Sequence, residues 1–390
     1  DFFYDLRIAN QMAESLPREQ FRRADVVRTL IRIHRLVDYD MELADPTEWR
    51  ASVREADALL KGILKDQNSP HAGFAGLIGH SHMDTAWLWH LEETVKKCAR
   101  TYSNQLSLMD QYPDYTFLQS SALHTAWMER YYPDIFRGIK ERVAQGRYEP
   151  NGGVWVECDC NIPGGEYLVR QFLWGQRYTQ SRFGYRSNCF WLPDTFGYSA
   201  SLPQIMKGCG VDYFLTTKLA WGDTNTFPYD AFYWEGIDGT KVFVHTNRTH
   251  LWPDPRRLLQ CVNGCGGEGI KDKTVTDRRL LSYGFGDGGG GPEFEMIEIA
   301  NRLKDVEGLP RTEHVTVGAF MRKMEEESFR PSVYAGELYL ELHRGTLTNQ
   351  HRIKRNNRLA EIAIRNLEYA TVIDALRKGR AIRGDEIAPL

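Results

Sequence analysis

A cluster of two histidines and one carboxylate stands early in the sequence, directly after a short apolar run at residues 76–79. The cluster reads HSHMD at residues 80–84. Side chains of an extended chain point the same way at every second residue, so His80, His82 and Asp84 can share one side. Imidazole nitrogen and carboxylate oxygen suit Zn²⁺ or a similar divalent cation. The spacing therefore predicts a metal site, with a pair of buried, hydrogen-bonded histidines as the structural alternative.

A second carboxylate, Asp194, lies in the segment FWLPDTFGYS at residues 190–199. Its neighbours Pro193 and Thr195 restrict the backbone, and a nucleophile needs to be held in one position. The structural alternative is an aspartate that caps the next turn.

A third carboxylate, Asp287, ends the segment GFGD and is followed by four glycines and Pro292. Glycines let a ligand approach the backbone closely. No Lys-Ser or Lys-Thr pair follows the glycines, so a phosphate-binding loop is excluded. The remaining interpretations are a loop that presents Asp287 at the mouth of a site and a flexible loop. Retaining glycosidases use two carboxylates on opposite sides of the scissile bond, and Asp194 and Asp287 are candidates for that pair.

The elements that must position these residues are of two kinds. Up to about residue 75 the apolar periodicity predicts helices, one of them beginning at Asp45-Pro46-Thr47-Glu48, with Asp45 as its cap. After that, short apolar runs alternate with helical stretches, which predicts an α/β domain with a parallel sheet, either open or closed into a barrel. Polar residues after the strands of such a sheet form the active site. The runs lie at residues 76–79, 115–118, 189–192, 213–215, 241–244, 281–283 and 314–317.

The charge and aromatic content of the chain indicate which classes of binding partner to expect. The 390 residues include 49 basic and 52 acidic side chains, a formal net charge of -3, which offers no field for a polyanion. Nucleic acid and anionic membranes are therefore not expected, and no apolar run is long enough to cross a bilayer. Ten Trp and 19 Tyr supply flat apolar faces that suit sugars, although cores use them equally well.

The seven cysteines are scattered singly, without the paired knuckles of a zinc ribbon. Isolated cysteines of this kind indicate reduced, buried thiols and favour an intracellular, cytoplasmic location, with the vacuole or lysosome as the alternative. The chain begins at Asp1 without Met, and we expect a fragment or a processed form.

Five segments together resemble the motifs of glycoside hydrolase family 38, in the order that the family has them. They are residues 80–89, 151–157, 191–199, 286–291 and 336–346. The glycine run and the ELHRGT stretch are most similar to the cytosolic/vacuolar and bacterial branch. The resemblance implies a seven-stranded parallel (β/α) barrel at residues 74–335, after a helical lead-in at 1–73. Residues 336–390 would begin a helical middle domain that is truncated here.

The resemblance also implies roles for single residues. His82 and Asp84 would bind zinc, Asp194 would be both a zinc ligand and the nucleophile, and Asp287 would be the acid/base. Golgi and lysosomal relatives add a zinc-binding His from a His-Asp pair where the barrel meets the helices. No His-Asp pair follows Asp287 in this chain, and we expect His343 to take that place.

Three further residues are candidates for substrate contact. Lys218 stands where Golgi-type relatives carry an Arg near the sugar, and Trp87 follows the metal cluster. We expect His80 to orient a ligand or to line the pocket.

The function implied by the resemblance is retaining hydrolysis of terminal α-mannosyl residues, assisted by Zn²⁺ or by another divalent metal such as Co²⁺. An α-mannoside oligosaccharide is then the partner, and a homo-oligomer is compatible with the sequence. Two alternatives from other classes remain: a metal-dependent deacetylase or amidohydrolase, in which the metal activates water, and a sugar-binding module without catalysis. Hydrolysis of an aryl α-mannoside separates them.

Overall fold

The computed structural model describes residues 1–38, 45–267 and 269–381. Its helices are α1 (Phe2–Ser15), α2 (Phe21–Leu36), α3 (Pro46–Leu64), α4 (Leu91–Gln111), α5 (Ala122–Tyr131), α6 (Pro133–Ala144), α7 (Gly165–Phe183), α8 (Leu202–Gly208), α9 (Pro255–Leu258), α10 (Phe294–Arg302), α11 (Val317–Glu327) and α12 (His351–Lys378). Short 3₁₀ turns occupy Lys218–Trp221 and Glu341–Leu347, and a π turn occupies Leu259–Asn263. Among the described residues no helix is long and apolar enough to cross a membrane.

The strands are β1 (Phe74–His80), β2 (Phe117–Leu118), β3 (Tyr148–Glu149), β4 (Cys189–Leu192), β5 (Gly197–Tyr198), β6 (Tyr213–Thr216), β7 (Ala231–Glu235), β8 (Lys241–Thr246), β9 (Arg248–Leu251), β10 (Arg278–Tyr283), β11 (Arg311–His314), β12 (Ser332–Ala335) and β13 (Leu338–Tyr339). Six of the seven predicted runs lie in strands or share at least two residues with one. The seventh, at residues 314–317, is misplaced, because β11 ends at His314 and α11 begins at Val317.

The strands form two main sheets. The first has the order β3-β2-β1-β10-β9, with β11 also paired to β1, and every pair in it is parallel. The second has the order β12-β7-β8-β6-β4, in which only β7 and β8 are antiparallel. The prediction of an α/β domain with a parallel sheet is therefore confirmed, and β5 and β13 add a small antiparallel pair.

The expected closed barrel of seven strands is not found in the described part of the chain. On one side the sheets are joined through Asn247, the single residue between β8 and β9, whose side chain bonds to Ser282 and Thr217. On the other side no backbone ladder pairs β3 with β4 among the described residues. Pro150, directly after β3, has no N–H to extend a ladder. The Asn151 side chain lies there instead and accepts a hydrogen bond from the Cys189 N–H at 3.2 Å.

One apolar cluster contains residues of both sheets, and the same strands contribute to other clusters because alternate residues of a strand point to opposite faces. Ile78 of β1 and Trp191 of β4 belong to the cluster between the sheets, whereas Leu77 faces the helical side. The N-terminal helices pack on that outer side. Met12 of α1 belongs to the same apolar cluster as Ile297 of α10, so α1 to α3 share the core of the sheet domain.

The predicted start of one helix is observed, whereas the predicted apolar face of another remains partly exposed. The Asp45 carboxylate accepts hydrogen bonds from the N–H groups of Thr47 and Glu48, at 2.7 and 3.2 Å, as its predicted role as a cap requires. Near the C-terminus α12 forms, but Leu359 and Leu367 of its apolar face stay 50% and 44% exposed. Residues 382–390 of the predicted segment at 336–390 lie outside the described residues.

Candidate active site

The candidate residues meet at the carboxyl ends of the parallel strands. His82 and Asp84 follow β1, Asp194 follows β4, Lys218 follows β6 and Asp287 follows β10. All five side chains line one open cavity of about 770 Å³. A cavity of this size accommodates a small-molecule ligand, and its walls come from separate strands.

Three of these residues form a group that could hold a metal ion. One ligand atom from each of His82, Asp84 and Asp194 lies within 4.8 Å of the others. The Nε2 atom of His82 lies 3.4 Å from Asp84 Oδ1 and 3.5 Å from Asp194 Oδ2. That nitrogen is buried and makes no hydrogen bond of good geometry within the described residues. One imidazole nitrogen and two carboxylate oxygens around an unsatisfied position fit Zn²⁺ or a related cation.

The electrostatics of the group suit a cation. Burial lowers the pKa of His82, but the adjacent carboxylates of Glu157, Asp194 and Asp84 outweigh it and raise the pKa to about 10. A cation on Nε2 would take the place of that proton and satisfy the same carboxylates. For Asp194, burial raises the pKa, but His82 and Lys218 lower it more. The net lowering keeps Asp194 ionised, as a nucleophile requires.

Lys218 is held against Asp194. Its ammonium group forms an ion pair with Asp194 Oδ1 and lies 3.3 Å from the centroid of the Trp221 ring. The Phe196 ring lies 5.6 Å from the same nitrogen, and Lys218 is only 6% exposed. The charge of Lys218 is therefore fixed beside Asp194 by that carboxylate and two aromatic faces.

The glycine loop that carries Asp287 is bound on both sides. The backbone O of Asp287 accepts a hydrogen bond from the Asp84 N–H at 2.9 Å, and Met83 bridges to Gly288. Gln105 donates to the backbone O of Gly290 at 2.9 Å. Asp287 itself has a φ of 59°, in the left-handed region. These contacts tie the loop to the segment that carries Asp84.

Residues 75–337 match the model of the glycosyl hydrolases family 38 N-terminal domain. The chain belongs to glycoside hydrolase family 38. Over 311 residues it is 42% identical to Alpha-mannosidase G of Dictyostelium discoideum, a match that covers 80% of this chain and 28% of that protein. With Alpha-mannosidase 2C1 of Mus musculus the identity is 40%, over 81% of this chain and 30% of the relative.

The solved structures agree on the fold of this family member. An alpha-mannosidase from Enterococcus faecalis V583 superposes with a TM-score of 0.58 at 20% identity, over 68% of this chain and 31% of that one. The chain thus spans less than a third of the length of the two curated relatives described above.

Within the family 38 site, His80 does not line the cavity, and its role in orienting a ligand stays a prediction. Its ring is 2% exposed and stacks on Trp191 at 4.3 Å, and it is not part of the cavity wall. Burial holds the pKa of His80 well below its usual value, so the ring is neutral. Trp87 does line the cavity and is 58% exposed, so it is placed to meet a ligand.

The structure does not bring His343 to the three-residue group. Its ring packs edge-on against Phe196 at 4.7 Å and lies 6.1 Å from Trp221, in a 3₁₀ segment that bends at His343 itself. His343 lines the cavity but is absent from the group of ligand atoms found among the described residues. Its role as a metal ligand stays a prediction.

Two cavity residues were missed by the sequence argument. Glu157 lies beside His82, in the loop that follows β3. The apolar pattern did not reveal β3, because this strand has only two residues. His250 lies in β9, four residues after the end of β8, and has a φ of 58°. Its signal was a histidine after an apolar run, the same signal that led to His82.

Proposed function

We propose that this chain carries the catalytic centre of a retaining α-mannosidase that removes terminal α-mannosyl residues from oligosaccharides with the help of Zn²⁺. The observation that carries the proposal is the convergence of His82, Asp84 and Asp194 in the cavity of a family 38 domain. The relatives with which the chain shares 36–42% identity are named alpha-mannosidases. Co²⁺ is a second candidate for the same nitrogen and oxygen ligands.

The zinc ion would be held by His82, Asp84 and Asp194, with His343 as a further candidate. When bound, it would orient the sugar hydroxyls and add positive charge next to the reacting carbon. The protein residues divide the rest of the work. Lys218 and His82 keep Asp194 ionised, and the ordered glycine loop presents Asp287 in the same cavity.

In the first step the Asp194 carboxylate attacks the anomeric carbon and forms a glycosyl ester, while the bond to the leaving oxygen breaks. Asp287 protonates that oxygen as the leaving group departs. In the second step Asp287 takes a proton from water, whose oxygen attacks the same carbon and releases Asp194. Mannose leaves with its original anomeric configuration, because two inversions restore it.

The arrangement along the chain is part of the proposal. The catalytic domain would occupy residues 74–335, after a helical lead-in at 1–73, and residues 336–390 would begin a helical domain. The observed elements support this division, since α3 ends at Leu64, β1 begins at Phe74 and the family match covers 75–337. The thiols, all free in the structure, support a reducing compartment such as the cytoplasm.

The test is hydrolysis of an aryl α-mannoside by the purified chain with added zinc. We expect turnover that Asp194→Ala abolishes and that a chelator removes reversibly. Release of acetate from N-acetylated sugars, without release of mannose, would replace the proposal by a deacetylase. Sugar binding without either reaction would replace it by a binding module.

A further inference from the structure

Glu157 touches two of the three candidate metal ligands with one carboxylate. Its Oε2 lies 3.3 Å from Nδ1 of His82, and its Oε1 accepts a hydrogen bond from the backbone N–H of Asp194 at 2.5 Å. The hydroxyl of Thr195 donates to the same Oε1 at 3.3 Å. The side chain is 16% exposed, at the wall of the cavity.

The position of Glu157 is set from outside the ligand group. The N–H of Trp155 donates to the backbone O of Gln171 in α7 at 2.9 Å, and the N–H of Val156 donates to the Gln171 side chain at 3.1 Å. The N–H of Glu157 donates to the hydroxyl of Ser121 at 3.3 Å. The carboxylate is therefore anchored by neighbouring elements before any ligand binds.

The carboxylate of Glu157, which lies beside Nδ1, determines which nitrogen of His82 is available to a metal. A neutral imidazole carries one proton, and a proton on Nδ1 that is donated to Glu157 leaves the Nε2 lone pair for the cation. Nε2 is the nitrogen that faces Asp84 and Asp194. Carboxylates behind a metal-binding histidine orient the ring and strengthen it as a ligand.

We propose that Glu157 is a positioning residue that fixes His82 with its proton on Nδ1 and holds the backbone of Asp194, and that it thereby sets the metal affinity of this site. The inference rests on the metal site of the proposed function. It concerns a residue that touches two ligands and does not itself need to touch the sugar.

The test compares wild type with Glu157→Gln, measuring zinc dissociation constants by chelator competition on the purified chain. Glutamine offers one acceptor and one donor, so it cannot serve both His82 Nδ1–H and Asp194 N–H. We expect zinc binding to weaken by about 10- to 100-fold, and the absorption spectrum of the Co²⁺-loaded protein to change. The matched control is Glu129→Gln, a partly buried carboxylate that pairs with Arg182 away from the cavity; it should bind zinc like wild type.

A second measurement needs no variant. In zinc-loaded wild type labelled with ¹⁵N-histidine, the ring that responds to zinc should carry its proton on Nδ1 and the metal on Nε2. Metal on Nδ1 would overturn the inference, and so would an unchanged zinc affinity in Glu157→Gln while wild type binds zinc. If wild type binds no zinc, the metal part of the proposed function fails as well, which distinguishes the two failures.

Discussion

Gly286 is a position where a single methyl group should disturb Asp287, the proposed acid/base. It precedes Asp287, and a Cβ built on it would lie 1.9 Å from Nε2 of His250. Ordinary contacts between heavy atoms are about 3.5–4.0 Å, so Gly286→Ala forces the ring or the loop to move by about 1.5 Å. The backbone of His250, with a φ of 58°, has little freedom to absorb the shift.

The expected effect is larger on activity than on stability. Overpacking of this kind costs about 1–3 kcal/mol of unfolding free energy, and the His250 ring borders the open cavity, which favours the low end. A displacement of about 1 Å at a reacting group costs about 100-fold in rate. We therefore predict a loss of about 100-fold in kcat/KM for aryl α-mannoside hydrolysis by Gly286→Ala.

The matched control lies two residues further on in the same loop. A Cβ on Gly288 would meet Lys97 Nζ at 3.4 Å and Trp89 at 3.8 Å, which are ordinary contacts. We expect Gly288→Ala to change the unfolding free energy by no more than about 0.5 kcal/mol and to keep most of the activity. Both variants are assayed for hydrolysis and for urea unfolding. Wild-type activity in Gly286→Ala, or an equal loss in both, would refute the reasoning.

Three further predictions concern the nucleophile, the remaining metal ligand and acid stability. Asp194→Ala should abolish turnover, whereas Asp194→Asn should retain binding of a mannose-like inhibitor in calorimetry; wild-type turnover in either variant would contradict the role. If His343 reaches the metal, His343→Ala lowers zinc affinity and activity together and excess zinc restores part of the activity; full zinc occupancy with unchanged turnover would show that it is not a ligand. Burial lowers the pKa of His245 and of His314 to about 4. Below about pH 6.5 the unfolded chain therefore binds protons that the folded chain does not, and the unfolding free energy decreases as the pH decreases. Urea unfolding at about pH 7.5 and about pH 5 measures this, and equal free energies would refute it.

Local rules of sequence predicted the strands better than they predicted how the sheets join. Apolar runs such as residues 189–192 form strands because they are buried on both faces. The two sheets meet at Asn247 on one side and at Asn151 on the other. At both places polar side chains form hydrogen bonds to strands that are distant in sequence. The periodicity of apolar residues does not predict such contacts. It therefore could not show whether the sheets close into a barrel.

In the candidate site, too, local sequence predicted some residues, whereas others depend on tertiary contacts. His82, Asp84 and Asp194 were found because their types and their positions after strands restrict the chemistry. That His80 does not line the cavity could not be predicted, because alternation along a strand does not show that Trp191 would cover its ring. Glu157 was given no role, because its contact with His82 depends on a loop that tertiary hydrogen bonds hold in place.

The configuration of the first product tests the central claim most directly. Proton NMR of an aryl α-mannoside during hydrolysis by the zinc-loaded chain resolves the two anomers before they interconvert. We expect α-mannose to appear first and the β anomer to grow only by mutarotation, because Asp194 forms and then releases a covalent ester. If β-mannose appears first, Asp194 is not the nucleophile and the retaining mechanism is wrong.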